Sequence, residues 1–203
     1  MTASSQTHMT EVWALLRLSR RDADTIRHFF IREIGIKEEF VSRGLHLTVY
    51  HARRPMAGLK SLTEQATVAL YADETRFMVL APGGENPRPE LDPARRKVGI
   101  RIKRGSTTRV EIERYRERLL QFESREVLGR RRASTHRINA FGARCFQPHM
   151  TLLQSGSGID RDLTKVGQQF RVRFGCFRFD RFEVTTRSVL RLPPTGSLSP
   201  PML

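Results

Sequence analysis

From Glu11 to Leu18 the chain reads EVWALLRL, a mostly apolar run of the length and character that predicts a strand. Ser19 or Asp22 can then cap a helix running to about Ile34, with Ile26, Phe29, Phe30 and Ile34 on one face and Gly35 as its stop. Leu45–Tyr50 predicts a second strand. Residues 67–72 and 76–80 predict two more, arranged as a hairpin about Asp73 and Glu74. Residues 81–93, APGGENPRPELDP, are dense in Gly and Pro and read as a linker.

The layout then starts again. Residues 98–103 alternate as a strand, and Thr107 or Thr108 can cap an amphipathic helix to about Val127. Its apolar stripe is Val110, Ile112, Tyr115, Leu119, Leu120 and Phe122. A basic, turn-rich stretch over 129–142 leads to a strand around His149. A helix near 161–170 and strand sequence over 171–188 follow, and the tail carries Pro193, Pro194, Pro200 and Pro201. Strand, helix and a strand bearing a histidine occur once in each half, which predicts two related lobes facing each other across a cleft. The expected organisation is a disordered leader over 1–10, a single two-lobed domain over 11–190 with its lobe boundary near 81–97, and a disordered Pro-rich tail over 191–203.

The two histidine strands carry the candidate chemistry. Their sequences are LHLTVY from Leu45 and PHMTLL from Pro148. Alternation places His46, Thr48 and Tyr50 on one face and Leu45, Leu47 and Val49 on the other, and His149 and Thr151 likewise oppose Met150 and Leu152. Each strand can bury an aliphatic row while presenting an imidazole beside a hydroxyl, about 6–7 Å apart along the strand. Breaking a phosphodiester needs a base for the attacking oxygen and an acid for the leaving one, and histidine serves as either near neutral pH. Threonine hydroxyls can donate to the non-bridging oxygens. One His-apolar-Thr-apolar match is expected about 0.07 times by chance in this composition and two about 0.002 times, so the pair is the informative feature.

On these residues the sequence resembles the 2H phosphoesterase superfamily, the LigT-like proteins that include 2′-5′ RNA ligases and cyclic phosphodiesterases. The resemblance rests on HLTV at His46–Val49 and on Phe146, Pro148 and HMTL at His149–Leu152. It implies an α+β, pseudo-twofold bilobed fold, with two antiparallel sheets lining a central cleft and helices packed outside. It further implies hydrolysis or transfer at 2′,3′-cyclic or 2′-5′ phosphodiesters, with His46 and His149 as general acid and base and Thr48 and Thr151 as phosphate-oxygen donors. No cofactor or metal is expected. The sequence departs from the ligase branch at Leu153 and Gln154, where a basic residue is common, and at 50–54, where a small-residue loop is replaced by Tyr50, His51, Ala52, Arg53 and Arg54. The ligase-like substrate therefore does not follow.

Charge adds a partner class. The chain carries a net charge of +15, with 31 arginines and 5 lysines, and guanidinium forks match phosphate oxygens two at a time. A GC-rich genome also favours arginine over lysine, and the two readings are compatible. The expected partner is RNA or a nucleotide, held by a rim of Arg130, Arg131, Arg132, Arg137 and Arg144, with Arg53 and Arg54 flanking the same cleft. Tyr50 is a candidate for stacking on a base, Phe146 for substrate contact, and His51 falls on the structural face. Trp13 and most of the phenylalanines read as core. Cys145 and Cys176 form no metal or redox motif, and no apolar run approaches the ~20 residues that span a bilayer. With no secretory signal in the opening residues, the expectation is a monomeric cytoplasmic protein without membrane contact. Two competing readings remain: a non-catalytic RNA-binding module using the same basic cleft, and a basic α/β domain with coincidental motifs. The last requires the two histidines to lie far apart in the fold.

Overall fold

The computed structural model describes residues 7–52, 59–80, 96–129, 146–157 and 163–191. Strand β1, Thr7–Leu18, leads through Ser19 into helix α1, Arg20–His28, whose first turn is capped by the Ser19 hydroxyl accepting from the Asp22 amide at 3.2 Å. The helix loosens into a π turn over Phe29–Glu33 and stops at Gly35, which takes a φ of 79° that suits glycine. Then come β2 (His46–Ala52), β3 (Leu62–Tyr71), a 3-10 turn (Ala72–Glu74) and β4 (Thr75–Leu80). The second half supplies β5 (Lys97–Ile102), α2 (Thr107–Gly129), β6 (His149–Leu153), α3 (Leu163–Arg173) and β7 (Cys176–Arg191). The first strand thus begins four residues before Glu11, and the last runs on to Arg191.

The strands form one seven-stranded antiparallel sheet in the order β3-β7-β1-β2-β6-β5-β4. The two expected sheets are one because β2 and β6 pair directly, through Leu47 and Met150. That seam is a single registered pair, against twelve between β1 and β7. The order also has an internal symmetry. The units β1-α1-β2 and β5-α2-β6 lie on either side of the seam, and each half sends its last strand across: β4 pairs with β5, and β7 with β1.

The hairpin expected of β3 and β4 does not form. They are the two edges of the sheet, and only the three residues Ala72–Glu74 join them, so the edges converge at that end. Glu74 makes this turn an anchor. Its carboxylate accepts from the Thr107 and Thr108 amides at the start of α2, at 2.9 and 3.2 Å, and its carbonyl accepts from the Lys103 amide at 2.8 Å. The nearer cap of α2 is Ser106, whose hydroxyl accepts from the Arg109 amide at 3.3 Å, rather than Thr107 or Thr108.

One row of cross-strand partners shows where the core sits: Phe77, Ile100, Met150, Leu47, Leu16 and Phe182 succeed one another from β4 to β7, all buried. Helices cover this face. Tyr115 of α2 packs on Phe182 with ring centroids 4.9 Å apart, and Phe170 of α3 on Phe77 at 5.7 Å. From the α1 side, Phe30 reaches both Phe77 and Phe170. The neighbouring positions along each strand necessarily point to the other face of the sheet.

Candidate active site

His46 and Thr48 belong to β2, and His149 and Thr151 to β6, the two central strands. Leu47 and Met150 are cross-strand partners on the core face, so the residues flanking them share the opposite face. In an antiparallel register His46 then stands across from Thr151, and Thr48 across from His149. The four side chains occupy the corners of a rectangle, histidines on one diagonal and threonines on the other. Diagonal neighbours of this kind lie about 7–8 Å apart, which leaves room for one phosphate between the imidazoles.

The two rings are held in the same way. His46 Nδ1 donates to the Gly44 carbonyl at 2.6 Å, and His149 Nδ1 donates to the Gln147 carbonyl at 2.9 Å, each two residues upstream. Because Nδ1 carries the proton toward the backbone, Nε2 is left as the lone-pair nitrogen of the neutral ring. Neither Nε2 has a hydrogen-bond partner among the described residues. His46 is half-buried, and burial pushes its pKa down. The Gly44 carbonyl and Glu183 oppose that shift, while the positive charges of Arg17 and His149 add to it. His46 is accordingly held neutral below the usual histidine range.

Against known proteins, the chain matches no protein-family model and no curated protein.

The strand register adds arginines that the sequence reading did not pick out. Arg17 on β1 is the direct partner of His46, and Arg101 on β5 is the direct partner of His149. One strand further out on each side stand Arg181, opposite Arg17, and Arg76, opposite Arg101. Each histidine is therefore flanked by two arginines in matching order, a consequence of the paired halves. Arg17 is bound to Glu183 at 2.7 Å, and Glu183 also holds Arg181 at 3.2 Å. Arg101 Nε is buried without a hydrogen-bond partner among the described residues. A signal for the inner pair existed in the sequence: Leu16-Arg17-Leu18 and Ile100-Arg101-Ile102 each put one arginine between two aliphatic residues, in the strand before each half's helix.

Tyr50 is not beside His46. A β-bulge shifts the register between β1 and β2 so that Leu15 faces Thr48 but Ala14 faces Tyr50. The extra residue turns both Val49 and Tyr50 to the core, where Tyr50 is 1% exposed. The same shift carries His51 onto the face of His46 and Thr48, where it pairs with Trp13 and stacks on the indole at 3.7 Å between centroids. Trp13 and His51 thus form an aromatic wall next to Thr48.

The bulge is braced from α2. Arg116, only 5% exposed, donates to the Val49 carbonyl at 2.9 Å while its guanidinium lies 4.3 Å from the centre of the Phe146 ring. Arg109 donates to the Phe146 carbonyl at 2.9 Å. Phe146, expected as a substrate contact, couples the approach to β6 to helix α2, and Arg116 ties both histidine strands to one helix. Arg53, Arg54, Arg130, Arg131, Arg132, Arg137 and Arg144 lie outside the described residues, as do the 81–93 linker and the Pro-rich tail. Among the described residues no group of three or more His, Cys, Asp or Glu is placed to hold a metal ion, and no helix is long and apolar enough to cross a membrane.

Proposed function

We propose that this chain is a phosphodiesterase of the 2H phosphoesterase kind, acting on 2′,3′-cyclic or 2′-5′ phosphodiester bonds in RNA ends or small nucleotides without a metal. The observation that carries the reading is the matched pair of histidines: adjacent central strands, one face, the same backbone acceptor two residues upstream, and both Nε2 atoms left over for chemistry. The strand order supports it, because two β-α-β units related across a seam, with exchanged last strands, are what a bilobed pseudo-twofold fold produces. The brace from Arg116 supports it too, since it fixes one motif strand relative to the other.

The chemistry follows from the positions. A phosphate between the histidines meets one imidazole on each side and one threonine hydroxyl near each end. His46, kept neutral by burial and neighbouring positive charge, is the base. Its Nε2 takes a proton from the attacking water as that oxygen bonds to phosphorus. The bond from phosphorus to the departing ribose oxygen breaks, and His149, entering the step as the imidazolium with a second proton on Nε2, gives that proton to the leaving oxygen and returns to the neutral ring. Thr48 and Thr151 donate to the non-bridging oxygens, whose charge Arg17 and Arg101 also face.

The test is hydrolysis of 2′,3′-cyclic mononucleotides, 2′-5′ oligoadenylate and cyclic dinucleotides in EDTA. At least one substrate should turn over with a bell-shaped pH profile. H46A and H149A should each slow it by about 10²–10⁴-fold. Full activity in either variant, or abolition by the chelator, would overturn the reading.

A further inference from the structure

A cleft of about 400 Å³ opens beside His46 on the β1 side, and of its lining only Arg17 enters the reaction above. Five arginines line it, Arg17, Arg20, Arg27, Arg43 and Arg181, against two carboxylates, Asp24 and Glu183. They converge from four separate elements. Arg17 is near the end of β1, Arg20 and Arg27 lie on one face of α1, Arg43 is in the approach to β2, and Arg181 is on β7.

Part of this charge is already committed. Arg27 binds Glu38 at 2.8 Å, outside the cleft, and Glu183 is shared by Arg17 and Arg181. The rest is not. Arg20 is 96% exposed, with only a 3.8 Å contact to Asp24, and Arg43 has no ion-pair or hydrogen-bond partner among the described residues. Gathering like charges around a concave surface raises their mutual repulsion, and an anion in that concavity relieves it.

The cleft is continuous with the histidine site. Gly44 lines it, and the carbonyl of Gly44 is what orients His46. Arg17 closes the gap from above, with one guanidinium nitrogen 3.4 Å from the point where a Cβ on Gly44 would sit. A group in the cleft is therefore next to a phosphate held between the histidines, with Arg17 facing both.

Resting on the histidine pair as the seat of the scissile phosphate, we propose that this cleft binds a second phosphate of the same substrate. The preferred substrate class is then an oligonucleotide, whose neighbouring phosphate enters the arginine cleft, rather than a mononucleotide cyclic phosphate. Glu183 acts as the internal competitor, holding Arg17 and Arg181 together until the second phosphate takes over part of their charge.

The experiment is calorimetric titration of the full chain carrying H149A, which slows turnover, with 2′-5′-linked oligoadenylates bearing one, two or three phosphates. The second phosphate should tighten binding by about tenfold or more at low salt, the worth of one charge-assisted hydrogen-bonded contact. In the R20Q/R43Q variant, whose altered side chains are solvent-exposed, the affinity ratio between two-phosphate and one-phosphate ligands should fall toward one. In E183Q it should rise. A ratio near one in the parent protein, or a ratio unchanged by R20Q/R43Q, overturns the proposal. So does inorganic phosphate binding that depends on Arg20 and Arg43 while the oligoadenylates show no gain, because the cleft would then take a free ion. Turnover in the parallel EDTA assay separates the two readings: a second-phosphate gain without hydrolysis by the unaltered protein overturns the proposed reaction and leaves the cleft standing.

Discussion

Replacing Gly99 with alanine is the sharpest test of how the second histidine strand is held. Gly99 lies on β5 directly across from Thr151, on the face that carries the two histidines, where the register shifts between Val98 and Gly99. A Cβ at this position would overlap the backbone carbonyl oxygen of Met150 and come within 2.6 Å of Leu80 Cδ1. The leucine can rotate, but the carbonyl belongs to β6 and moves only with its strand. Restoring an ordinary carbon–oxygen contact requires a backbone displacement on the order of 1 Å. That displacement carries overpacking strain of about 1–3 kcal/mol. Stretching one or two ladder hydrogen bonds adds about 1 kcal/mol each. Alanine returns some stability by restricting the unfolded chain, about 0.4–1 kcal/mol. The net destabilisation is then roughly 2–4 kcal/mol, and in a chain of this size the melting temperature should fall by about 5–15 °C. Urea and thermal denaturation of G99A should be compared with G175A. Gly175 has nothing within 4 Å of its own Cβ position and does not take a positive φ, so alanine there should shift stability by less than about 1 kcal/mol. Equal midpoints for G99A and the unaltered protein would refute the close approach of β5 to β6.

Three further outcomes follow from the geometry. Because His46 titrates below its unfolded value, the unfolded chain binds more protons in the acid range, so stability from this site is complete above about pH 6.5 and lost as pH falls through the lower folded value. Urea midpoints of the unaltered protein and H46Q from pH 8 to pH 5 should converge on the acid side, and a constant difference would refute the shift. E183Q should lower the His46 pKa further and R17Q should raise it, read by NMR titration of the imidazole; shifts of the same sign would mean that neither charge reaches the ring. R116A removes the donor to Val49 and the cation over Phe146, and should cost about 1–3 kcal/mol in urea denaturation, with an unchanged midpoint showing that the bulge stands without its brace.

Much of the site was legible because strand alternation is a local property. Two His-x-Thr patterns, each with aliphatic residues at the intervening positions, identified the faces of β2 and β6 through Thr48 and Thr151. The reading failed at Tyr50 because a β-bulge inverts the alternation after Thr48, and a bulge is set by pairing with β1 and by Arg116 rather than by residues 49 and 50 themselves. The same shift explains why His51, assigned to the opposite face, sits with Trp13. The β3–β4 turn failed for a different reason: Ala72, Asp73 and Glu74 signal a reversal equally well whether the next strand returns beside the last or crosses to the far edge. Only the tertiary partners β7 and β5 decide it. Whether the halves form two sheets or one turned on a single pair, Leu47 with Met150, and no local pattern encodes that contact.

The exchange of last strands bears on how the chain is made. Strand β7 lies between β1 and β3, so two segments from the first half stay unjoined until a segment about a hundred residues later arrives. At ribosomal speeds of about 5–20 residues per second, that wait is on the order of 10 s. During it β1 and β3 expose the backbone edges that β7 will cover. Contacts as distant as Thr7 with Arg191 also make the closing step one of high contact order and low intrinsic speed. Closure of the sheet between β1 and β3 is therefore a late event that follows synthesis of β7.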